Sequence, residues 1–215
     1  VMSVSMLRMQ NGDIGLFYLI RYGWHDMRLH LRRSSDEGET WSEPVCCIEA
    51  PGYFVTNNDR VIRLSSGRLI VAAARHSLIR DPYAEERQWD GRGVVYFYYS
   101  DDDGYVWKES RNFSALNSYH TSSGLQEPGV VELSNGTIWA WARTDLGRQY
   151  EMFSRDGGET WTPPEPSVFT APCSPLSVKR IPQNGYLLAV WNPIPNYQTR
   201  PLSKAGWGRT PLVAA

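Results

Sequence analysis

The sequence predicts an all-β protein of the β-propeller type, on the basis of two interleaved repeats and the lack of helical periodicity. One repeat is an eight-residue turn phrase that occurs three times, and the other is a short apolar hairpin that occurs four times. Apolar residues do not follow the spacing of an amphipathic helix in any segment. Hairpins of these two kinds combine into four-stranded blades that pack radially around an axis. Residues 1–215 are therefore predicted to form a single propeller domain with about four blades.

The turn phrase, called the Asp box below, reads S-x-D-x-G-x-x-W and occupies residues 34–41, 100–107 and 154–161. Its Asp carboxylate is suited to accept hydrogen bonds from backbone N–H groups of its own turn, and its Gly supplies a left-handed backbone position. Its Trp offers a large apolar face for packing against a blade. Because a strand-like run precedes each phrase, we expect the three Asp residues to be structural and not catalytic or metal-binding.

The second repeat joins two short apolar strands through a polar turn that contains Gly or Asn-Gly, which is the signature of a β-hairpin. The four copies lie at residues 6–19, 61–73, 130–141 and 178–191. Their strands lack an alternating polar face, which indicates burial on both sides. The inner strands of the blades are expected to begin near Met2, Asp59, Glu127 and Ser174.

Bulk composition excludes several kinds of partner. The 22 basic and 23 acidic residues give a formal net charge of −1, so no general field attracts nucleic acid or an anionic membrane, and an anion site requires a local cluster of Arg. No apolar stretch approaches the ~20 residues that span a bilayer. Cys46, Cys47 and Cys173 show no metal-ligand spacing, so neither a metal nor a cofactor is expected.

Charged residues recur where inner strands begin and their partner strands end, which is one mouth of the predicted propeller. A regular hairpin centred on Asn135 places Glu127 directly opposite Arg143. This pair is either a cross-strand ion pair on a blade rim or part of a ligand site.

The same construction applies to the second hairpin, centred on Ser66. It places Arg75 opposite Asn57, and His76 follows at the same mouth. We expect Arg75 and His76 to line a substrate pocket, the alternative being that they are solvated loop residues.

The Asp boxes and inner hairpins together resemble the sialidase (neuraminidase) superfamily of six-bladed propellers. The resemblance covers nearly the whole chain and corresponds to blades two to five of six. The stretch Q-E-P-G-V-V-E-L at residues 126–133 is similar to the family's strand that opens with a glutamate, which is Glu127 here. The strand end W-A-W-A-R resembles the position of the second of three arginines, Arg143, and G-R-T-P-L at residues 208–212 resembles that of the third, Arg209.

This resemblance implies an exo-α-sialidase that releases terminal sialic acid with retention of configuration. In the family, three arginines grip the sugar carboxylate, a glutamate activates a tyrosine nucleophile, and an aspartate is the acid/base. A neutral nucleophile suits a substrate whose carboxylate sits on the anomeric carbon, because a carboxylate nucleophile would approach a like charge. Tyrosine, with a pKa of about 10, then needs a neighbouring base, the role implied for Glu127.

The resemblance also sets limits. The first arginine and the aspartate are expected before residue 1 and the tyrosine after residue 215, so this stretch alone is not expected to hydrolyse sialosides. The expected partner is a sialylated or other acidic glycan. Two alternatives stay open: a propeller that acts on another acidic glycan, and a non-catalytic glycan-binding module.

Overall fold

The structure, a computed structural model, describes residues 2–79, 88–195 and 209–215, which form sixteen strands and one 3₁₀ turn at Ser118–His120. The strands are β1 (Met2–Arg8), β2 (Ile14–Gly23), β3 (Asp26–Ser34), β4 (Val45–Cys46), β5 (Tyr53–Val55), β6 (Ile62–Arg63), β7 (Leu69–Ile79), β8 (Gln88–Ser100), β9 (Lys108–Glu109), β10 (Gln126–Glu132), β11 (Ile138–Arg143), β12 (Arg148–Ser154), β13 (Glu165–Thr170), β14 (Ser177–Arg180), β15 (Leu187–Trp191) and β16 (Val213–Ala214).

The strands assemble into antiparallel blades in chain order. Strands β1–β4 form the first blade and β5–β9 the second, and one parallel bridge between Met27 and Tyr53 links these two blades. Strands β10–β13 form the third blade, and β14–β16 form a three-stranded fourth sheet. The all-β prediction is confirmed, and each predicted hairpin supplies two neighbouring strands of one blade.

Hydrophobic clusters lie between successive blades and hold them in a radial arrangement. The first cluster contains Phe17 and Val71, the second Phe97 and Ile138, and the third Trp141 and Val178. Each large side chain removed from water in this way contributes about 1.5–3 kcal/mol to stability. Both faces of β11 and of the first half of β7 are covered, which explains why these sequences are apolar without alternation. The expected burial on both sides is wrong for β1, where Met2, Val4 and Met6 are exposed.

The three Asp boxes adopt the geometry that their sequence predicts. In the third box the Asp156 carboxylate accepts hydrogen bonds from the Ser154 hydroxyl at 2.8 Å and the Thr160 N–H at 2.9 Å. Burial opposes ionisation of Asp156, but the hydrogen bonds from Thr160 and Ser154 outweigh it and lower its pKa to about 2. Trp161 stacks on Phe97 of the preceding blade with ring centroids 3.7 Å apart, so the box fastens neighbouring blades together.

The predicted pairing of Arg75 with Asn57 is wrong. Arg75 pairs with Phe54 and His76 pairs with Tyr53, so the ladder is shifted by three residues relative to a regular hairpin. The mouth of the second blade therefore lies further back along the inner strand than the sequence indicates.

The shift arises because the inner strand of the second blade is interrupted between β5 and β6. In this interval the Val4 N–H donates to the Asn58 carboxamide oxygen at 3.1 Å, and Asp59 adopts a φ of +60°. The excursion ties the second blade to the first and makes the inner strand begin at Tyr53, well before the predicted Asp59.

The predicted pairing of Glu127 with Arg143 is wrong by one residue. From Gly129 to Glu132 the ladder follows the predicted register, but Gln126 is the residue that pairs with Arg143. Glu127 lies in a β-bulge with a φ of +46°. Such a left-handed position costs a non-glycine residue about 1–3 kcal/mol, and bulges re-aim side chains beside functional sites.

Candidate functional site

Glu127 and Arg143 form the centre of a charged cluster at the mouth of the third blade. The Arg143 Nη1 donates to the Glu127 Oε2 at 2.7 Å, and the two side chains are 17% and 23% exposed, respectively. The bulge makes this contact possible despite the register shift, because it turns Glu127 back toward the guanidinium. The side chains therefore meet as the sequence predicts, through a backbone geometry that it does not predict.

Gln126 is the second partner of Arg143, and the sequence analysis does not identify it. Its Oε1 accepts hydrogen bonds from the Arg143 Nε at 3.1 Å and from Nη2, while its Nε2 donates to the Gly91 carbonyl. Three of the five guanidinium N–H groups are thus used, and, counting contacts with described residues, two remain for a ligand. In a regular strand Gln126 and Glu127 point to opposite faces, so sequence reasoning assigns only one of them to the site.

His76 is buried beside this cluster. It is 5% exposed, and its Nδ1 lies 3.2 Å from the Asp90 carbonyl oxygen. Burial lowers the pKa of His76 to about 4, and the positive charge of Arg143 acts in the same direction. A carbonyl oxygen only accepts, so the neutral imidazole carries its proton on Nδ1.

Arg75 points away from this cluster, toward the chain that leads into β5. Its side chain is exposed at the mouth, with Nη2 3.5 Å from the Pro51 carbonyl oxygen and the guanidinium 5.9 Å from the Phe54 ring. Successive residues of a strand point to opposite faces. The strand therefore brings His76 toward Arg143 and sends Arg75 to a separate part of the mouth.

Arg209 lies near the cluster on the side of the fourth sheet. Its Nη2 donates to the Cys173 carbonyl oxygen at 3.1 Å. Burial raises the pKa of the Cys173 thiol, which also experiences the charges of Arg143, Arg209 and Glu127. Cys173 is thus close to both arginines. Gly208, the first residue of the strand-start motif, lies outside the described residues.

Arg60 is a buried cation close to Glu127, and the sequence analysis does not identify it. It is 4% exposed, its Nη2 donates to the Leu176 carbonyl at 2.8 Å, and its guanidinium lies 5.6 Å from the Trp141 ring. Burial lowers its pKa to about 10, against the opposing effect of the negative charges of Glu127 and Asp59. Its only sequence signal is a polar run, N-N-D-R at residues 57–60, inside an apolar strand pattern.

The loop that enters β10 is fastened to the end of β11 by Asp145. The Asp145 carboxylate accepts hydrogen bonds from the Thr121 hydroxyl at 2.6 Å, the Ser122 N–H at 2.8 Å and the Ser123 hydroxyl at 3.1 Å. Asp145 lies two residues after Arg143 in the chain. This network therefore holds the backbone that leads into the bulge.

A close backbone contact holds the other side of the same loop. The Gly93 N–H donates to the Ser123 carbonyl at 2.8 Å, and the Leu125 N–H donates to the Gly93 carbonyl at 2.9 Å. Gly124, with a φ of +56°, lies so close that a Cβ there would be 2.5 Å from the Gly93 carbonyl oxygen. Glycine is needed at this position because no side chain fits.

Three guanidinium groups lie in the region of Glu127, together with the carboxylates of Asp59 and Asp145. Arg143 contacts Glu127, and Arg60 and Arg209 lie in the same region. Among these groups Arg143 keeps two N–H groups that no described residue uses, which suits it to an anionic ligand. Over residues 2–79, 88–195 and 209–215 no three His, Cys, Asp or Glu side chains are grouped to hold a metal ion. The same stretches contain no helix of sufficient length and apolarity to cross a membrane.

Comparison with known proteins gives one family and several structural neighbours. The BNR repeat-like domain family matches residues 3–215. A protein named sialidase from Bacteroides fragilis (strain YCH46) is 30% identical over 149 residues, which are 66% of this chain and 24% of that protein. The chain therefore spans about a quarter of the curated relative it matches.

Two solved structures share the fold. The Hadza microbial sialidase Hz136 has a TM-score of 0.59 at 20% identity, over 87% of this chain and 39% of that one. The intramolecular trans-sialidase from Ruminococcus gnavus has a TM-score of 0.57 at 23% identity, over 80% of this chain and 34% of that one. These likenesses confirm the propeller architecture.

Proposed function

Since the chain belongs to the BNR repeat-like domain family of the sialidase superfamily, we propose that it carries the carboxylate-binding and nucleophile-activating part of an exo-α-sialidase active site. The observation that carries this proposal is the fixed Arg143 guanidinium, which is held on two sides and keeps N–H groups for an anion. The substrate is a glycan that ends in sialic acid.

Arg143 binds the carboxylate of the sugar in this proposal. Its Nε side is held by Gln126 and its Nη1 by Glu127, so little conformational freedom is lost when a ligand binds. A planar guanidinium forms two parallel charge-assisted hydrogen bonds to a carboxylate and does not deprotonate. Arg209 supplies a second cation from the side of the fourth sheet.

Glu127 is the proposed base that takes the proton of the tyrosine nucleophile. Its Oε2 is bonded to Arg143, whereas Oε1 accepts no hydrogen bond from any described residue. This second oxygen is available to a tyrosine hydroxyl contributed by sequence outside residues 1–215. The ion pair with Arg143 and the nearby Arg60 keep the carboxylate oriented between substrate and nucleophile.

A second candidate is a hydrolase or lyase for another acidic sugar. The described cluster recognises a carboxylate and has no contact that is specific to sialic acid, so a uronic acid fits the same arginines. Comparing activity on sialosides with activity on uronic acid glycosides separates the two candidate functions.

The test is the release of a fluorogenic leaving group from an α-sialoside by the full-length protein. Glu127→Gln keeps the size of the side chain and removes its basicity, so kcat is expected to fall about 10²–10⁴-fold. Glu132→Gln is the matched control, because Glu132 lies at the other end of β10 and its carboxylate accepts hydrogen bonds from the Ser65 N–H and hydroxyl, at 2.6 and 2.7 Å.

The control is expected to retain activity. A folded wild-type protein that leaves sialosides intact would overturn the sialidase proposal, and activity on uronic acid glycosides would then support the second candidate. Full activity in Glu127→Gln would remove Glu127 from the mechanism.

A further inference from the structure

An open cleft lies between the first and second blades, beside their Asp boxes. This Asp-box cleft has a volume of about 570 Å³, and its lining includes Asp13, Arg33, Trp41, Glu43 and Tyr105. Its volume falls within the range of sites for small ligands. Asp13 belongs to the turn between β1 and β2, whereas Trp41 and Tyr105 belong to the first and second Asp boxes. Both walls of the cleft are therefore built from blades that the structure describes.

The Asp-box cleft lies at the end of the blades opposite the mouth. Inner strands begin at the mouth, so the turn that follows β1 is at the far end. Strand β3 runs back from the mouth at Asp26 to the first Asp box at Ser34, a distance of about 26 Å. No lining residue of the cleft belongs to the cluster of Glu127 and Arg143. A ligand in the cleft therefore does not compete with one bound at the mouth.

The repeat shows that the turn does not require an aromatic residue at position 105. The sixth residue of the box is Glu39 in the first copy and Glu159 in the third. Glu159 forms ion pairs with Arg68 and Arg111 at 3.8 and 2.8 Å. Tyr105 takes this place in the second copy and is 61% exposed. An exposed ring where the fold can use a carboxylate indicates contact with a ligand, because Tyr combines an apolar face with a polar tip.

The two aromatic rings of the cleft are held in place. The Arg33 guanidinium lies over the Tyr105 ring, 4.1 Å from its centroid, and its Nη2 donates to the Asp103 carbonyl at 2.8 Å. The Trp41 indole donates from Nε1 to the Gly38 carbonyl at 3.0 Å. Rings that are already oriented bind the C–H face of a sugar with little loss of side-chain freedom.

The polar groups of the cleft favour a neutral ligand over an anion. Among the described residues the Glu43 carboxylate has no hydrogen-bond or ion-pair partner, and the Asp13 carboxylate accepts from the Asn11 side chain at 2.8 Å. These two carboxylates face one guanidinium, that of Arg33, which disfavours a second sialic acid. Carboxylate acceptors beside aromatic rings suit the hydroxyl groups and the C–H face of a neutral pyranose.

We propose that the Asp-box cleft is a second carbohydrate site, which binds a neutral pyranose unit of a glycan with Tyr105 as the stacking ring. This site is independent of the proposed function, because it uses other residues and takes another ligand. Since the two sites lie at opposite ends of the blades, the protein can hold one glycan in the cleft while Arg143 binds another at the mouth.

The test is saturation-transfer NMR of the full-length protein with the methyl glycosides of galactose, glucose, mannose and N-acetylglucosamine. The mouth is first filled with 2-deoxy-2,3-dehydro-N-acetylneuraminic acid, so that only a second site reports. At least one of the four sugars is expected to show contact, and its titration gives a Kd. Tyr105→Glu, which introduces the residue of the other two boxes, is expected to raise this Kd about 3- to 10-fold, the factor that an aromatic contact contributes.

Val106→Thr is the matched control. Val106 follows Tyr105 in the box and is 58% exposed, but it does not line the cleft. The other two boxes have Thr at this position, and its hydroxyl donates to the Asp of the box at 2.5 Å in both. Because both substitutions copy the other boxes, neither is expected to lower Tm, and Val106→Thr is expected to leave the Kd of the sugar unchanged.

Absence of contact with all four sugars would overturn the second site. An unchanged Kd in Tyr105→Glu would also overturn it, because the sugar would then bind elsewhere. If the protein does not cleave sialosides and the analogue does not fill the mouth, the proposed function fails. A raised Kd in Tyr105→Glu and an unchanged one in Val106→Thr would still assign the sugar to the cleft.

Discussion

Asp145 provides a quantitative test of how the loop before β10 is held. Replacing Asp145 with Ala removes the acceptor for three hydrogen bonds, from Thr121, Ser122 and Ser123. Hydrogen bonds to a charged acceptor contribute about 1.5–3 kcal/mol each. Because Asp145 is half-buried and water replaces part of the loss, we expect a total destabilisation of about 2–4 kcal/mol.

This free energy translates into a measurable change in melting temperature. For a domain of about 200 residues, each kcal/mol lowers Tm by about 2–4 °C, so Asp145→Ala is expected to lower Tm by about 5–15 °C. Asp145→Asn retains one acceptor oxygen and presents an NH₂ group toward a donor, so an intermediate loss is expected. In the full-length protein, sialoside hydrolysis well below Tm is expected to fall in the same order, because the loop leads directly into Glu127.

The control is Asp13→Ala, in the first hairpin turn. The Asp13 carboxylate accepts from the Asn11 side chain at 2.8 Å, two residues away, so Tm is expected to change little. An Asp145→Ala protein with the melting temperature and activity of the wild type would refute the claim that this network positions the bulge.

Two further predictions concern the same mouth. Burial lowers the pKa of His76 to about 4, below its value of about 6.5 in the unfolded chain. The unfolded state then binds more protons between these values, so stability is complete above pH 6.5 and declines by about 3 kcal/mol as pH falls toward 4. Urea unfolding at pH 7 and pH 4.5 is expected to show a smaller loss of stability in His76→Asn than in the wild-type protein. Equal losses in the two proteins would contradict the lowered pKa of His76. Gly124→Ala is expected to destabilise the protein by about 2 kcal/mol or more, because its Cβ would lie 2.5 Å from a backbone oxygen. Gly136→Ala is the control, because Gly136 is also at positive φ but has open space around it. Equal losses of Tm in the two variants would refute the steric argument for Gly124.

The blade architecture was predictable because its signals are local. Each Asp box contains its own hydrogen-bonding groups within eight residues, and each inner hairpin carries its own turn. The structure reproduces both, including the left-handed Gly158 and the indole donation of Trp161 to its carbonyl at 3.2 Å. What local sequence did not indicate is that Trp161 stacks on the preceding blade.

The pairing across the mouth was only partly predictable. Counting outward from the hairpin turn assumes an uninterrupted ladder, and the bulge at Glu127 breaks that assumption one residue before Arg143 is reached. The contact between the two side chains still forms, because charge and side-chain length tolerate a shift of one position. In the second blade the interruption between β5 and β6 displaces Arg75 from its predicted partner.

Gln126 and Arg60 were beyond sequence reasoning for a different reason. The role of Gln126 depends on Gly91, 35 residues earlier, and that of Arg60 on Leu176, 116 residues later. Such contacts arise only when several blades meet at the axis. A lone Gln or Arg in a strand carries no pattern that reports them.

The central claim is that Arg143 and its neighbours bind the carboxylate of an acidic sugar. Its most direct test is calorimetric titration of the full-length protein with the unsaturated sialic acid analogue 2-deoxy-2,3-dehydro-N-acetylneuraminic acid and with its methyl ester. Loss of a bidentate charge-assisted contact is expected to weaken binding of the ester about 10- to 100-fold, and Arg143→Gln is expected to reduce this difference strongly, leaving the part that Arg209 supplies. Equal affinity of acid and ester for the wild-type protein would contradict the account.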